Sequence, residues 1–180
     1  GQWYRFYVEK SGVFRLSKSF LNAMGVNTNG DPRNIKLFGN GGAMLPLSNS
    51  EPAPIDLQEN AIRFVGEEDG VFNNDDYILF YAEGPTEYNE ESDTNINLYA
   101  DKSYYYITTQ GNFGKRITPL NQPEDEPSLE ITTFQDYQFH EVDENNLGKI
   151  GRRWFGERFD FENEKRFNFS FPNIISSVPA

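Results

Sequence analysis

Five groups of residues carry side chains whose type and spacing could do chemistry. Asp69, Asn73, Asp75 and Asp76 offer several hard oxygens within eight residues, the ligand type that calcium takes. Their spacing is not that of an EF-hand loop: Gly70 directly follows the first aspartate, and no glutamate stands at the twelfth loop position. An Asx-rich β-turn accounts for the same residues. His140 is the only histidine, too few for a histidine-rich zinc site. No glycine-framed serine elbow accompanies it as a nucleophile. Gly39-Asn40-Gly41-Gly42 has the composition of a phosphate cradle, but Ala43-Met44-Leu45-Pro46 follows where a helix with Lys and Ser/Thr should open. A tight turn is the reading. Asn168-Phe169-Ser170 is formally an N-glycosylation sequon within a strand-like segment. Trp154, Phe155, Phe159 and Phe161 beside Arg152, Arg153 and Arg158 could stack on sugars, whereas packing into a sheet is the ordinary fate of such a run.

With no cysteine in the chain, disulfides, thiolate zinc sites and a cysteine nucleophile are excluded. The 28 Asp and Glu residues make carboxylate proximity uninformative as a sign of a glycosidase dyad. The residue chemistry alone therefore assigns no catalytic residue and no metal. Calcium at Asp69, Asn73, Asp75 and Asp76 is the one cofactor the residue types would suit. Trp154, Phe155, Arg152 and Arg153 are the weak binding candidates.

The elements that must position these groups read mostly as strands. Residues 3–9 are aromatic and β-branched, Ser11-Gly12 turns, and Val13–Leu16 returns, which predicts a hairpin. Ser17 caps a short helix, Lys18 to Met24, stopped by Gly25. Ile35–Phe38, Ala61–Val65, Tyr77–Ala82 and Tyr104–Thr109 read as strands, with an irregular loop at 46–57 and a long polar loop at 84–97. Leu129–Val142 and Phe167–Phe171 alternate as strands do. In the former, His140 shares a face with Thr132, Phe134, Asp136 and Gln138. The expectation is an all-β fold, an antiparallel sandwich or barrel with one short helix near residues 17–25. Residues 1–122 form a β-rich domain, 123–128 a candidate linker, and 129–180 further strands that complete that domain or start a second.

Aromatic residues make up 16% of the chain, which suits strands better than helices. No apolar run is long enough for a membrane span. The net charge of −12 argues against nucleic acid as a partner. That charge is concentrated. Residues 64–101 hold 11 acidic and no basic side chains, whereas residues 1–63 hold 7 basic and 5 acidic ones. Such a block is ordinarily a solvated face. The opening Gly1-Gln2-Trp3 and the closing Ser177-Val178-Pro179-Ala180 read as an excised piece of a longer protein.

Four strings, in order, resemble the N-terminal region of the PorU-like sortases of type IX secretion, gingipain-type cysteine peptidases of Bacteroidetes. They are Val8-Glu9-Lys10-Ser11-Gly12-Val13-Phe14-Arg15-Leu16 with Met24-Gly25; Asp31 to Gly42; Glu67-Glu68-Asp69-Gly70-Val71-Phe72 followed by Asp76 to Pro85; and Gly151-Arg152-Arg153-Trp154-Phe155-Gly156-Glu157. The strings are turn-and-strand signatures, with glycine where positive φ is needed, and carry no chemistry of their own.

The resemblance implies a cell-surface protein at the extracellular face of the outer membrane, whose downstream peptidase domain removes C-terminal sorting signals from secreted clients and helps attach them to lipopolysaccharide. The catalytic Cys and His of that family lie downstream of this region, so no catalytic residue carries over to the present chain. The implied partners are the peptidase domain of the same chain and other outer-membrane components of the secretion system. The implied role is scaffold, shield or docking surface. The alternative reading is a carbohydrate-binding β-sandwich on a surface protein, using its aromatic side chains.

Overall fold

The structure is a computed structural model, and it describes residues 1–121, 129–149, 151 and 153–175. The chain separates into two compact units, Gly1–Leu120 and Asn121–Ala180.

The first unit is all-β. One sheet has the order β1 (Tyr4–Val8), β9 (Ser103–Thr108), β3 (Lys36–Phe38), β4 (Glu59–Asn60). A second has the order β2 (Gly12–Ser17), β6 (Tyr77–Ala82), β5 (Arg63–Val65), and β7 (Thr86–Asn89) pairs with β8 (Thr94–Ile96) as a separate ribbon. Every strand pair in the three sheets is antiparallel. The core lies between the two larger sheets. Val8, Leu37, Tyr105 and Ile107 enter it from the first, and Leu16, Phe64, Ile78, Phe80 and Ala82 from the second, all buried. Phe80 packs edge-on against both Phe6 and Tyr105, with ring centroids 5.9 Å and 5.3 Å apart, a favoured geometry for aromatic pairs.

The predicted hairpin of residues 3–16 does not form. β1 pairs with β9, with Tyr7 opposite Tyr104, and β2 pairs with β6, with Phe14 opposite Phe80. The turn at Ser11-Gly12 is a corner that carries the chain from one sheet to the other, so that Phe6 and Phe14 reach Phe80 from opposite layers. Two strands in one hairpin would place both rings in one sheet and leave the opposite layer unfilled.

The helix α1 (Lys18–Ala23) begins where Ser17 Oγ accepts the Phe20 N–H and ends before Gly25 at φ 90°. Asp31 caps the 3₁₀ turn Pro32–Asn34 by accepting the Arg33 N–H. The segment expected as a polar loop at 84–97 instead holds β7 and β8. Its β-forming Thr86, Tyr88, Thr94 and Ile96 outweigh the surrounding carboxylates, and Asp93 takes φ 50° in the turn.

In the second unit the described residues include no buried side chain. Leu129–Val142 and Phe167–Phe171 are not paired into a ladder. Asn145 and Phe155 form an isolated antiparallel bridge, and Leu147–Lys149 is a 3₁₀ turn. The Gln138 side-chain amide does part of a strand's work: its Nε2 donates to the Ser170 carbonyl, and its Oε1 accepts the Ser170 N–H. The expected linker, 123–128, lies outside the described residues.

Candidate functional site

Glycines bring three of the four sequence strings to one junction. A Cβ on Gly84 would stand 2.5 Å from the Lys10 carbonyl carbon, and one on Gly42 would stand 2.6 Å from the Gly84 carbonyl carbon. Real side chains do not fit such spaces, so three passages of main chain meet here only because these positions are glycine. Polar groups then fasten the junction. Gly84 N–H donates to Ser11 Oγ at 3.0 Å, and Asn97 Nδ2 donates to the Gly42 carbonyl at 2.8 Å. Tyr105 reaches the same place from the core. Its hydroxyl accepts the Glu83 N–H at 2.8 Å and donates to the Glu83 carbonyl at 3.2 Å. Burial pushes this phenol above its ordinary pKa, which keeps the hydroxyl proton available as donor. Within Gly39 to Gly42, Gly42 is thus the point of close main-chain approach, whereas Gly39 and Gly41 lie against the Tyr105 and Glu83 side chains.

The acidic turn is occupied by its own chain. Glu67–Asp69 forms one 3₁₀ turn between Gly66 and Gly70, both with positive φ. Asp69 accepts the Val71 N–H at 2.9 Å and the Asn73 side-chain amide at 3.0 Å, and Asp76 accepts the Asn73 N–H at 2.6 Å. Asp75 is exposed. Among the described residues no three histidine, aspartate or glutamate side chains gather as metal ligands. Asp69, Asn73 and Asp76 are joined as an Asx-rich turn.

Glu67 turns inward. Its carboxylate takes Arg116 in a two-pronged ion pair, with Nη2 to Oε2 at 2.7 Å and Nε to Oε1 at 2.8 Å. The same guanidinium donates to the carbonyls of Pro32, Arg33 and Ile35. A planar fork with five donors suits such a clamp.

His140 Nε2 meets Glu157 Oε1 at 2.5 Å, and the imidazole lies over Phe167 with centroids 4.2 Å apart. This bond holds the Glu157 carboxyl below its ordinary pKa. Trp154, Phe155 and Arg153 are exposed, and Arg152 lies outside the described residues. Phe155 is placed by its main chain, which exchanges hydrogen bonds with Asn145. The expected packing of this aromatic run into a sheet is absent among the described residues: Phe159 and Phe161 are exposed as well. Asn168 of the sequon is also exposed.

One surface escaped the sequence reading. The outer face of β1, β9 and β3 presents Arg5, Tyr7, Lys36, Phe38, Tyr104 and Tyr106, with Trp3 just before β1. Arg5 lies over the Tyr104 ring at 4.6 Å, and Lys102 over the Tyr7 ring at 4.5 Å. The signal for it was Tyr104-Tyr105-Tyr106 itself. Three consecutive aromatics in a strand put one ring in the core and two on the other face.

No helix among the described residues is long and apolar enough to cross a membrane. No family model matches the chain, and no curated protein matches it. Among solved structures it is similar to the crystal structure of dimeric latent PorU from Porphyromonas gingivalis, with a TM-score of 0.46 and 28% identity over 66% of this chain. The match covers 10% of the PorU chain.

Proposed function

We propose that this chain is the non-catalytic N-terminal β region of a PorU-like sortase, a scaffold and docking surface for a cysteine peptidase domain downstream. In this reading the whole protein sits at the extracellular face of the outer membrane and removes C-terminal sorting signals from secreted proteins. Its partners are its own peptidase domain and other components of the secretion system.

The observation that carries the reading is the glycine junction. Three of the four strings that resemble the family's N-terminal region touch main chain to main chain at Lys10, Gly42 and Gly84. Residues spent on close backbone fit give shape and hold no substrate, and the chain contains no cysteine to act as a nucleophile. The second unit supports the same role. Its described residues bury no side chain, while Leu129, Ile131, Phe134 and Tyr137 are all more than 70% exposed, as expected of a surface that meets another protein layer.

The test is the size of the native polypeptide. An antibody raised against residues 1–180 is blotted on surface-exposed protein from the source cells. The expected band lies far above the 20.8 kDa of this chain and is labelled by a cysteine-directed protease probe. A band at 20.8 kDa without probe label overturns the proposal.

A further inference from the structure

We propose that the outer face of the β1–β9–β3 sheet docks an acidic protein segment through the row Arg5–Tyr104–Tyr7–Lys102. Its two ends are cations and its middle is a tyrosine pair, with ring centroids 6.2 Å apart across the strands. The row continues sideways, because Arg5 is opposite Tyr106 on β9 and Tyr106 is opposite Phe38 on β3.

Charge gives the occupant its sign. The chain has 28 carboxylates for 16 basic residues, yet among the described residues neither Arg5 nor Lys102 forms an ion pair with one. Each is held on a ring face instead. Such a cation loses little further side-chain freedom when a carboxylate arrives, which favours binding. Glu59, opposite Phe38 at the far edge of this face, is already engaged by the Lys115 N–H at 2.7 Å.

Geometry gives the occupant its class. Sugars and bases stack on open, coplanar ring faces. Here Tyr7 and Tyr104 are inclined by 67° and Trp3 and Phe38 by 70°, and a cation already lies over one face of Tyr7 and of Tyr104. The strand residues of this face include no aliphatic side chain: they are Arg5, Tyr7, Lys36, Phe38, Tyr104, Tyr106 and Thr108. The outer face of the second sheet differs, for Val13 there is 71% exposed opposite Tyr81. Trp, Tyr and Arg together are the composition of protein-binding hot spots. The inference stands independently of the sortase reading.

The test uses the full 180-residue chain and a fluorescently labelled synthetic peptide of alternating Glu and Ala, followed by anisotropy at low and high salt. Binding is expected at low salt and is weakened about tenfold or more in the double variant Arg5→Gln, Lys102→Gln. The charge-conserving pair Arg5→Lys, Lys102→Arg retains it, and Val13→Ser on the other sheet leaves it unchanged. Both cations are on the surface, and circular dichroism checks that each variant is folded. Three results overturn the proposal: no binding at low salt, undiminished binding by the double Gln variant, or stronger binding of polygalacturonate or oligothymidylate than of the peptide. Self-association of the chain that the double Gln variant abolishes also overturns it, in favour of a second copy as the occupant.

Discussion

Gly84 and Gly42 lie main chain against main chain, and the space between them decides what a methyl group would cost. A Cβ at Gly84 would meet the Lys10 backbone at 2.5 Å, and a backbone contact cannot swing aside as a side-chain tip can. Gly84→Ala is therefore expected to destabilise the first unit by about 1–3 kcal/mol, read as a lower urea midpoint. Gly30→Ala is the control: a Cβ there meets nothing within 4 Å and no positive φ is required, so its effect stays within about 0.5 kcal/mol. Tyr105 tests the polar half of the same junction. Tyr105→Phe leaves the ring in the core but strips both hydrogen bonds from Glu83, at a cost of about 1–2 kcal/mol. A midpoint unchanged in Gly84→Ala and in Tyr105→Phe would remove the junction from the account of stability.

Between elements, Arg116 is the largest single polar tie in the first unit. It joins the 3₁₀ turn at Pro32–Asn34, the end of β5 through Glu67, and the segment at Ile117 whose N–H donates to the Ile62 carbonyl. Its side chain is 23% exposed and that of Glu67 17%, so solvent screens the pair only in part. Arg116→Ala is expected to cost about 2 kcal/mol, whereas Arg33→Ala, which breaks the more open pair with Asp31, costs less. Equal losses in chemical denaturation would contradict the clamp.

At this scale the sequence was legible wherever a signal is local. The Ser17 cap, the Gly25 stop and the strands around Leu37, Ile78 and Tyr105 are written in neighbouring residues. What was not legible is partnership. Nothing within residues 3–17 says that β2 belongs with β6 rather than β1, because the deciding contacts are those of Phe6 and Phe14 with Phe80, about seventy residues away in sequence. The β7–β8 ribbon was hidden by its carboxylates, and the cationic face by the habit of assigning aromatics to the core. The Asx-rich turn, by contrast, could be read from Asp69, Asn73 and Asp76 alone, since the two carboxylates accept main-chain or amide N–H groups within four residues, and Asn73 donates to both.

At the scale of the whole molecule the two units differ in what holds each together, and pH is expected to act on them differently. The first unit has a continuous buried core, whereas in the second the described residues bury none, so polar ties such as His140–Glu157 and Gln138–Ser170 carry proportionately more there. Glu157 is held below its ordinary value of 4.5 by the bond to His140. A carboxyl depressed in the folded state contributes stability that is fully present above its unfolded value and is lost as pH falls through the folded one. Glu162, lowered by Lys165, acts in the same direction. Asp143 acts in the opposite direction, raised by burial and by Glu141, so Asp143→Asn should tighten the unit at neutral pH.

The chain has two tryptophans, Trp3 in the first unit and Trp154 in the second, and Trp3→Phe leaves Trp154 as the sole reporter. Acrylamide quenching of Trp154 is expected to stay level from about pH 7 to about pH 5 and to rise as pH falls below 4.5. Glu157→Gln should raise quenching at neutral pH and flatten the acid step, leaving the smaller contribution of Glu162. A Trp154 profile that follows the global unfolding of the first unit, with the same midpoint and no change in Glu157→Gln, would mean that the second unit owes its order to the first and not to the tie between Glu157 and His140.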